Sequence, residues 1–480
     1  MARPIARVLH RILRGAWALL SAGLLAACAA TPPALPSAQE APSPSARAPS
    51  TAVLASQIQV ESPKGSLDQG QREQVLHQVA AQGGADAIKR QLAAMASFGD
   101  VGLYAGNEAQ LLIDGPATFK AMFAAIGQAK RSILLESYII EDTQLSQQLA
   151  TLLAEKRAQG VQVLVLYDSL GSLSTSDAFF KALQDKGIST CAFNPLNPLK
   201  SSGKLDLTHR DHRKILTVDR EVGFTGGINI SAVYTSGSFG YKRAATGKTN
   251  GSGWRDTQIE LRGSAVGALE DLITETWRQQ RCEGTPPPAT ATKPAAAGKQ
   301  LLRIVPSTPD DSVNHIYALM LSSISAAKQS VYLTMAYFAP GDDLIDALCD
   351  AAGRGVDVQL ILPSRSDFTP VLHAGRSHYK RLLGAGVKIH ELQDSVLHAK
   401  TMVIDGVVSS VGSSNMDSRS FVGNNEIDAV VIGEDFGDAM TRMFRQDLEA
   451  SKEITLEAWN SRSLWQRSKE FFARIFEGLW

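Results

Sequence analysis

The chain has 480 residues, 48 of them basic and 48 acidic, and 44% apolar content. That is enough for two ordinary domains or one duplicated unit with a large core. The balanced charge lacks the basic footprint of a general nucleic-acid binder, although a local basic groove stays open. The four cysteines, Cys28, Cys191, Cys282 and Cys349, have no zinc-site spacing. With Cys28 used elsewhere, one disulfide plus a free thiol and three buried thiols are both open. Buried thiols, which behave as small hydrophobes, are favoured.

Residues 1–27 read as an export signal. Arg3, Arg7, Arg11 and Arg14 come first, with no acid, followed by an apolar run over 16–27 that is short for a membrane span. Without this segment the charge is near −4, from 44 basic and 48 acidic residues. The run ends Leu25-Ala26-Ala27-Cys28, which resembles the bacterial lipobox. That resemblance implies lipidation at Cys28, and Ala29 in place of Asp favours an outer-membrane address facing the periplasm. A plain cleaved signal or an uncleaved anchor is the alternative. Residues 28–69 follow as a tether, Ala/Pro/Ser-rich over its first half and too poor in apolar groups there to fold alone. Residues 70–104 are helical in pattern, with Gly83-Gly84 splitting them into two helices.

Two similar halves come next, 105–282 and 300–450, separated by a Pro/Ala-rich linker over 283–299. In the first, strands at 132–138 and 161–168 alternate with helices at 145–159 and 176–186. In the second, strands at 330–337 and 356–362 alternate with helices at 343–354 and near 376–383. Continuous apolar strands between helices predict an α/β sheet covered on both faces. The Ser/Gly/Thr/Lys-rich stretch 234–253 has no counterpart in the second half and reads as an entrance loop or as surface. Residues 451–480 read as an amphipathic C-terminal helix with Trp465, Phe472, Ile475, Phe476 and Leu479 near one face. A helix closing the core is favoured there over one that meets lipid.

Each half carries the same signature. His212-Arg213-Lys214 is followed by Asp219, Gly226, Gly227 and Asn229. His398-Ala399-Lys400 is followed at the same offsets by Asp405, Gly412, Ser413 and Asn415. Two copies with shared tails argue for an internal duplication. On a strand, residues i and i+2 point the same way, so each copy sets His and Lys side by side. Two such pairs facing each other supply two ammonium groups for a phosphodiester's oxygens, one imidazole to attack phosphorus and one to protonate the departing alcohol. No metal or other cofactor is required, because the lysines supply the positive charge.

The paired His-x-Lys-x4-Asp signatures resemble those of the phospholipase D superfamily, and within it the bacterial cardiolipin synthases. Supporting stretches are Arg210-Asp211-His212, Tyr337-Phe338-Ala339-Pro340, Gly412-Ser413-Ser414-Asn415-Met416-Asp417-Ser418-Arg419-Ser420 and Asn424-Asn425-Glu426. The resemblance implies a duplicated α-β-α sandwich with the active site between the halves. It implies phosphatidyl transfer through a phosphohistidine, with His212 preferred over His398 as nucleophile. Lys214, Lys400, Asn229 and Asn415 are implied to bind phosphate, and Asp219 and Asp405 to orient the motif. Asp256 is implied to orient His212, and Glu426 to orient His398. Substrates are implied to be phospholipids at a membrane surface: phosphatidylglycerol, with phosphatidylethanolamine as another donor, and no nucleic acid. Hydrolysis to phosphatidic acid is the alternative outcome, and a nuclease or other phosphodiesterase the more distant one. Many cardiolipin synthases begin with two membrane-spanning helices. The N-terminal segment here reads as a lipoprotein-type signal instead, which leaves remodelling or hydrolysis of lipid open as the expected role.

Overall fold

The structure is a computed structural model that describes residue 35 and residues 48–99, 101–196, 208–238, 253–288 and 295–479. The export signal, Cys28, most of the Ala/Pro/Ser-rich segment and residues 239–252 of the expected entrance loop lie outside the described residues.

The folded body begins well before residue 70. A helix at Thr51–Gln57 leads into β1 (Ile58–Ser62), which turns back on the short β2 (Gly65–Ser66). Leu54, Ile58 and Val60 are fully buried, and β1 lies parallel to β3 (Val101–Ile113). The tether expected over 28–69 therefore stops short of residue 51. A few well-placed apolar side chains in a polar stretch suffice to fix it when a sheet edge is at hand. Two helices, Gln69–Ala80 and Ala85–Ala96, then cross the body. They break at Gly83-Gly84, where φ is positive at both residues.

Each half is one mixed sheet, and the two sheets have the same strand order. In the first half β4 (Ser132–Ser137), β5 (Gln162–Asp168) and β6 (Ser189–Phe193) are parallel neighbours. On the other side of β4 an antiparallel run continues through β8 (Lys214–Val218), β9 (Val222–Gly226), β10 (Thr257–Arg262) and β3. The two-residue β7 (Arg210–Asp211) stands just ahead of β8.

In the second half the parallel trio is β12 (Ser330–Met335), β14 (Asp357–Pro363) and β15 (Lys388–Leu392). The antiparallel run from β12 is β16 (Lys400–Ile404), β17 (Val408–Gly412), β19 (Asn424–Ile432) and β11 (Gln300–Ser307), and the two-residue β13 (Phe338–Ala339) and β18 (Met416–Asp417) pair with each other in parallel. β3 and β11 also pair with each other, so the halves share a seam of backbone hydrogen bonds.

Helices cover both faces. Gln144–Ala158 and Asp177–Asp185 lie within two residues of the expected bounds, as does Asp342–Gly353. The helix expected near 376–383 runs over Thr369–Gly384. Its Pro370 sits in the first turn, where its missing N–H costs nothing. Cys191 and Cys282 form a disulfide with a Cα separation of 5.6 Å, and Cys349 is free. The favoured reading of three buried thiols is thus corrected. β6 and the end of helix Ala265–Gln279 bring two half-buried sulfurs together from positions 91 residues apart.

The C-terminal region is a strand, β20 (Ser451–Ile454), and two helices, Leu456–Asn460 and Leu464–Ile475. The last helix does not close the core. Trp465, Phe471, Phe472 and Ile475 are exposed, and Glu470 is its buried residue.

Candidate active site

Both signatures begin at the seam between the halves. β7 runs parallel to the first residues of β19, and the backbone N–H of His212 donates to Asn425 O at 3.0 Å. The counterpart is an isolated parallel bridge between Arg255 and Leu397, with the N–H of His398 donating to Arg255 O at 2.8 Å. Each histidine is thus threaded onto the other half's strand. The register is matched as well, with Lys214 opposite Ser137 and Lys400 opposite Met335 on the equivalent strands.

This threading exchanges the carboxylates. Glu426 follows Asn425, and both of its oxygens lie 3.0 Å from His212 Nδ1. Asp256 follows Arg255, and its Oδ2 lies 2.8 Å from His398 Nδ1. The expectation that Asp256 serves His212 and Glu426 serves His398 is therefore reversed. Nearness in sequence points within a half, but the parallel pairing at the seam delivers each carboxylate to the histidine of the other half.

The downstream motif residues shape these carboxylates. Ser413 Oγ donates to Glu426 Oε2 at 2.5 Å. At the matching position, Gly227 packs directly on Asp256, and a Cβ there would lie 2.1 Å from Oδ1. Asn424 Nδ2 also donates to Glu426 Oε1, at 3.2 Å.

Lys214 and Lys400 are buried, and each Nζ donates to the backbone carbonyl of its own histidine. Lys400 Nζ also lies 2.9 Å from His398 Nδ1, and the hydroxyl of Tyr234 lies 3.0 Å from the same nitrogen. His212 has no equivalent of the tyrosine hydroxyl among the described residues. Tyr138 instead meets it edge-on, with ring centroids 4.9 Å apart. Around His398 stand Trp254 at 5.3 Å and Tyr337 at 6.3 Å. Among the described residues, neither histidine's Nε2 has a protein hydrogen-bond partner, so both are left to face a substrate.

Burial dominates the electrostatics. It pushes His212 down to about 4, with the ammonium groups of Lys214 and Lys400 pushing the same way against Glu426. Burial and Lys400 lower His398 as well. Burial, then the charge of Lys400, takes Lys214 down to about 7, and burial lowers Lys400. Burial also opposes charge on Glu426, but the His212 contact and Lys214 outweigh it and hold that carboxyl below its ordinary value. The resting site therefore holds His212 as an unprotonated imidazole beside the anionic carboxylate of Glu426.

Not every expected residue lies in the site. Asp219 and Asp405, expected as orienting members of the motif, sit at the far end of their strands, roughly 20 Å of chain from the histidines. Asp219 accepts from the backbone N–H groups of Lys130, Arg131 and Ser132 at 2.7–2.9 Å. Asp405 does the same for Lys328, Gln329 and Ser330 at 2.7–3.1 Å. Both have positive φ, a turn conformation that Asp tolerates, and both fasten the start of the neighbouring strand. Asn229 and Asn415 are buried. Asn229 Oδ1 accepts from the N–H of Ile139 at 3.1 Å.

Sequence patterns assign no role to Tyr234, Tyr138, Tyr337 or Trp254, although Tyr337 opens one of the stretches that carry the family resemblance. For Tyr138 and Tyr337 a signal existed. They end the apolar runs read as strands over 132–138 and 330–337, although the register sets Ala336, not Tyr337, at the position of Tyr138.

Comparison with known proteins agrees with this geometry. The family described as "Cardiolipin synthase, PLD-like domain" matches residues 122–239 and 320–448, one match in each half. The chain is 33% identical over 377 residues to cardiolipin synthase 2 of Bacillus anthracis, covering 78% of this chain and 71% of that protein. It is 35% identical over 366 residues to cardiolipin synthase A of Pseudomonas entomophila, covering 76% and 74%. Among solved structures, phosphatidylserine synthase of Haemophilus influenzae has the same fold, with a TM-score of 0.58 at 12% identity over 77% of this chain and 92% of that one. The duplicated sheets, the paired signatures and these relatives lead to one conclusion: the chain is an enzyme of the phospholipase D superfamily and belongs to its cardiolipin synthase family.

Proposed function

We propose that this enzyme transfers a phosphatidyl group from one phosphatidylglycerol to a hydroxyl of a second, through a phosphohistidine on His212. The observation that carries the reading is the pair of crossed His–carboxylate contacts beside two buried lysines. A carboxylate alone at His212 Nδ1 favours the tautomer protonated there, which turns the Nε2 lone pair toward substrate. At His398 the Tyr234 hydroxyl and the Lys400 ammonium crowd Nδ1 and make this imidazole the poorer nucleophile, while Asp256 stands by to stabilise the imidazolium whose Nε2 proton goes to the leaving group. That makes His212 the nucleophile and His398 the acid.

In the first step Nε2 of His212 bonds to phosphorus, the bond from phosphorus to the headgroup oxygen breaks, and His398 hands its proton to the departing glycerol. In the second, His398 takes the proton of an incoming lipid hydroxyl, whose oxygen bonds to phosphorus as the P–N bond breaks. Lys214 and Lys400 hold the non-bridging oxygens, with the side-chain amides of Asn229 and Asn415 beside them. Phosphatidylethanolamine is a second donor candidate.

The same reading places the enzyme in the cell envelope, lipid-anchored at Cys28 and facing the periplasm. The Cys191–Cys282 disulfide supports an oxidising compartment. Among the described residues no helix is long and apolar enough to cross a membrane.

Vesicles of phosphatidylglycerol given to the purified full chain are expected to yield cardiolipin and free glycerol, with EDTA causing no loss. Phosphatidic acid as the sole lipid product would assign the site to hydrolysis instead.

A further inference from the structure

The C-terminal helix Leu464–Ile475 is amphipathic the wrong way round for a helix that packs on a protein core. Its polar and small residues face inward. Glu470 is buried and paired with Arg462 at 2.6 Å, and Ala473 packs against Ala339, Val371 and Ala374. Its large apolar residues face outward, with Leu464 at 82% exposure, Trp465 at 70%, Phe471 at 63%, Phe472 at 61% and Ile475 at 58%. At about 100° per residue these five fall within one third of the helical circumference, roughly. Arg467 and Arg474 lie along one edge of that face and Lys469 along the other, its Nζ 5.4 Å over the Trp465 ring.

The helix that carries this face packs beside the reaction centre. Ala473 belongs to the cluster that includes Tyr337, whose ring is 6.3 Å from that of His398. The turn after the helix is held there as well. Glu477 pairs with buried His378 at 2.8 Å, and the Gly478 carbonyl accepts from Ser418 Oγ at 3.4 Å, three residues beyond Asn415.

We infer that this helix is a membrane-docking surface: its aromatic face enters the interface of a bilayer carrying anionic phospholipid and turns the catalytic mouth toward that bilayer. An exposed apolar stripe rimmed by cations is the composition of an interfacial helix. The occupant follows from charge complementarity, since Arg467, Lys469 and Arg474 edge the stripe, and from continuity with the site. This deepens the proposed function and rests on its lipid substrate. A phosphodiester buried at a bilayer surface must reach histidines that are themselves buried, and a docked face one layer away holds the mouth against its source.

Hydrogen exchange of the full chain, resolved to peptides spanning 464–476, tests the docking without reference to turnover. Vesicles of phosphatidylglycerol should slow exchange in this segment, and vesicles of phosphatidylcholine should slow it less. No lipid-dependent change would overturn the inference. So would protection that grows with protein concentration in the absence of lipid, which would mean a second copy of the chain, or protection already complete without lipid, which would mean another part of the same chain. The triple variant Trp465→Ser, Phe472→Ser, Ile475→Ser should slow turnover of vesicle substrate by about tenfold or more. It should leave turnover of short-chain phosphatidylglycerol below its micelle concentration unchanged, and an equal loss on both substrates would overturn the inference. If the unaltered chain turns over neither substrate, the proposed function fails while the exchange result still decides the docking.

Discussion

At the scale of single residues, the crossed carboxylates are the feature that sequence order hides. The His-x-Lys pairs, the Asn residues and both carboxylates were legible as types, because strand periodicity and repeat alignment are local properties. Which carboxylate meets which imidazole was not legible, since it depends on two short parallel pairings across the seam. The assignment has a direct energetic consequence. In double-mutant cycles on kcat/KM, His212→Asn with Glu426→Gln and His398→Asn with Asp256→Asn should each show a coupling of about 1–3 kcal/mol. The pairs within one half, His212 with Asp256 and His398 with Glu426, should couple much more weakly. Equal coupling in all four cycles would contradict the crossed arrangement.

Titration of His212 gives a second residue-scale test. Its pKa is about 4 in the folded chain, below the ordinary 6.5, so between these values the unfolded chain binds more protons at this group than the native one. Stability contributed by the group is therefore complete above pH 6.5 and is lost as pH falls toward 4. The His212→Asn variant should show a shallower fall in Tm over that window than the unaltered chain. An identical slope would mean that His212 is not held unprotonated.

At the scale of elements, the repeated strand and helix order was readable because buried parallel strands carry continuous apolar runs. The segment before residue 69 was misread because composition averages over it, while three buried residues, Leu54, Ile58 and Val60, decide its fate. The last helix has the opposite lesson. Its periodicity was visible, but periodicity reports an apolar face without saying what covers it. The motif aspartates belong at this scale too, because each fastens a β-strand start through several backbone N–H groups. Asp219→Ala leaves three buried or half-buried donors without that acceptor and should cost about 2–4 kcal/mol in denaturant unfolding. The fraction that stays folded should keep a near-normal KM. A variant of normal stability with abolished turnover would return Asp219 to the chemistry.

At the scale of the whole molecule, two sheets of one strand order meet along β3 and β11, and neither half holds a complete site. His212 without the second half lacks Glu426, and His398 without the first lacks both Asp256 and Tyr234. The duplication thus produces one centre with unlike members. The most direct measurement uses a phosphatidyl ester of p-nitrophenol, a leaving group that departs without a proton donor. With the His398→Asn variant, the account predicts a burst of nitrophenolate stoichiometric with enzyme, then a stall with the phosphatidyl group on the peptide containing His212. His212→Asn should give no burst. Continued turnover in either variant, or a burst in His212→Asn with none in His398→Asn, would contradict a shared site in which His212 is the nucleophile and His398 the acid.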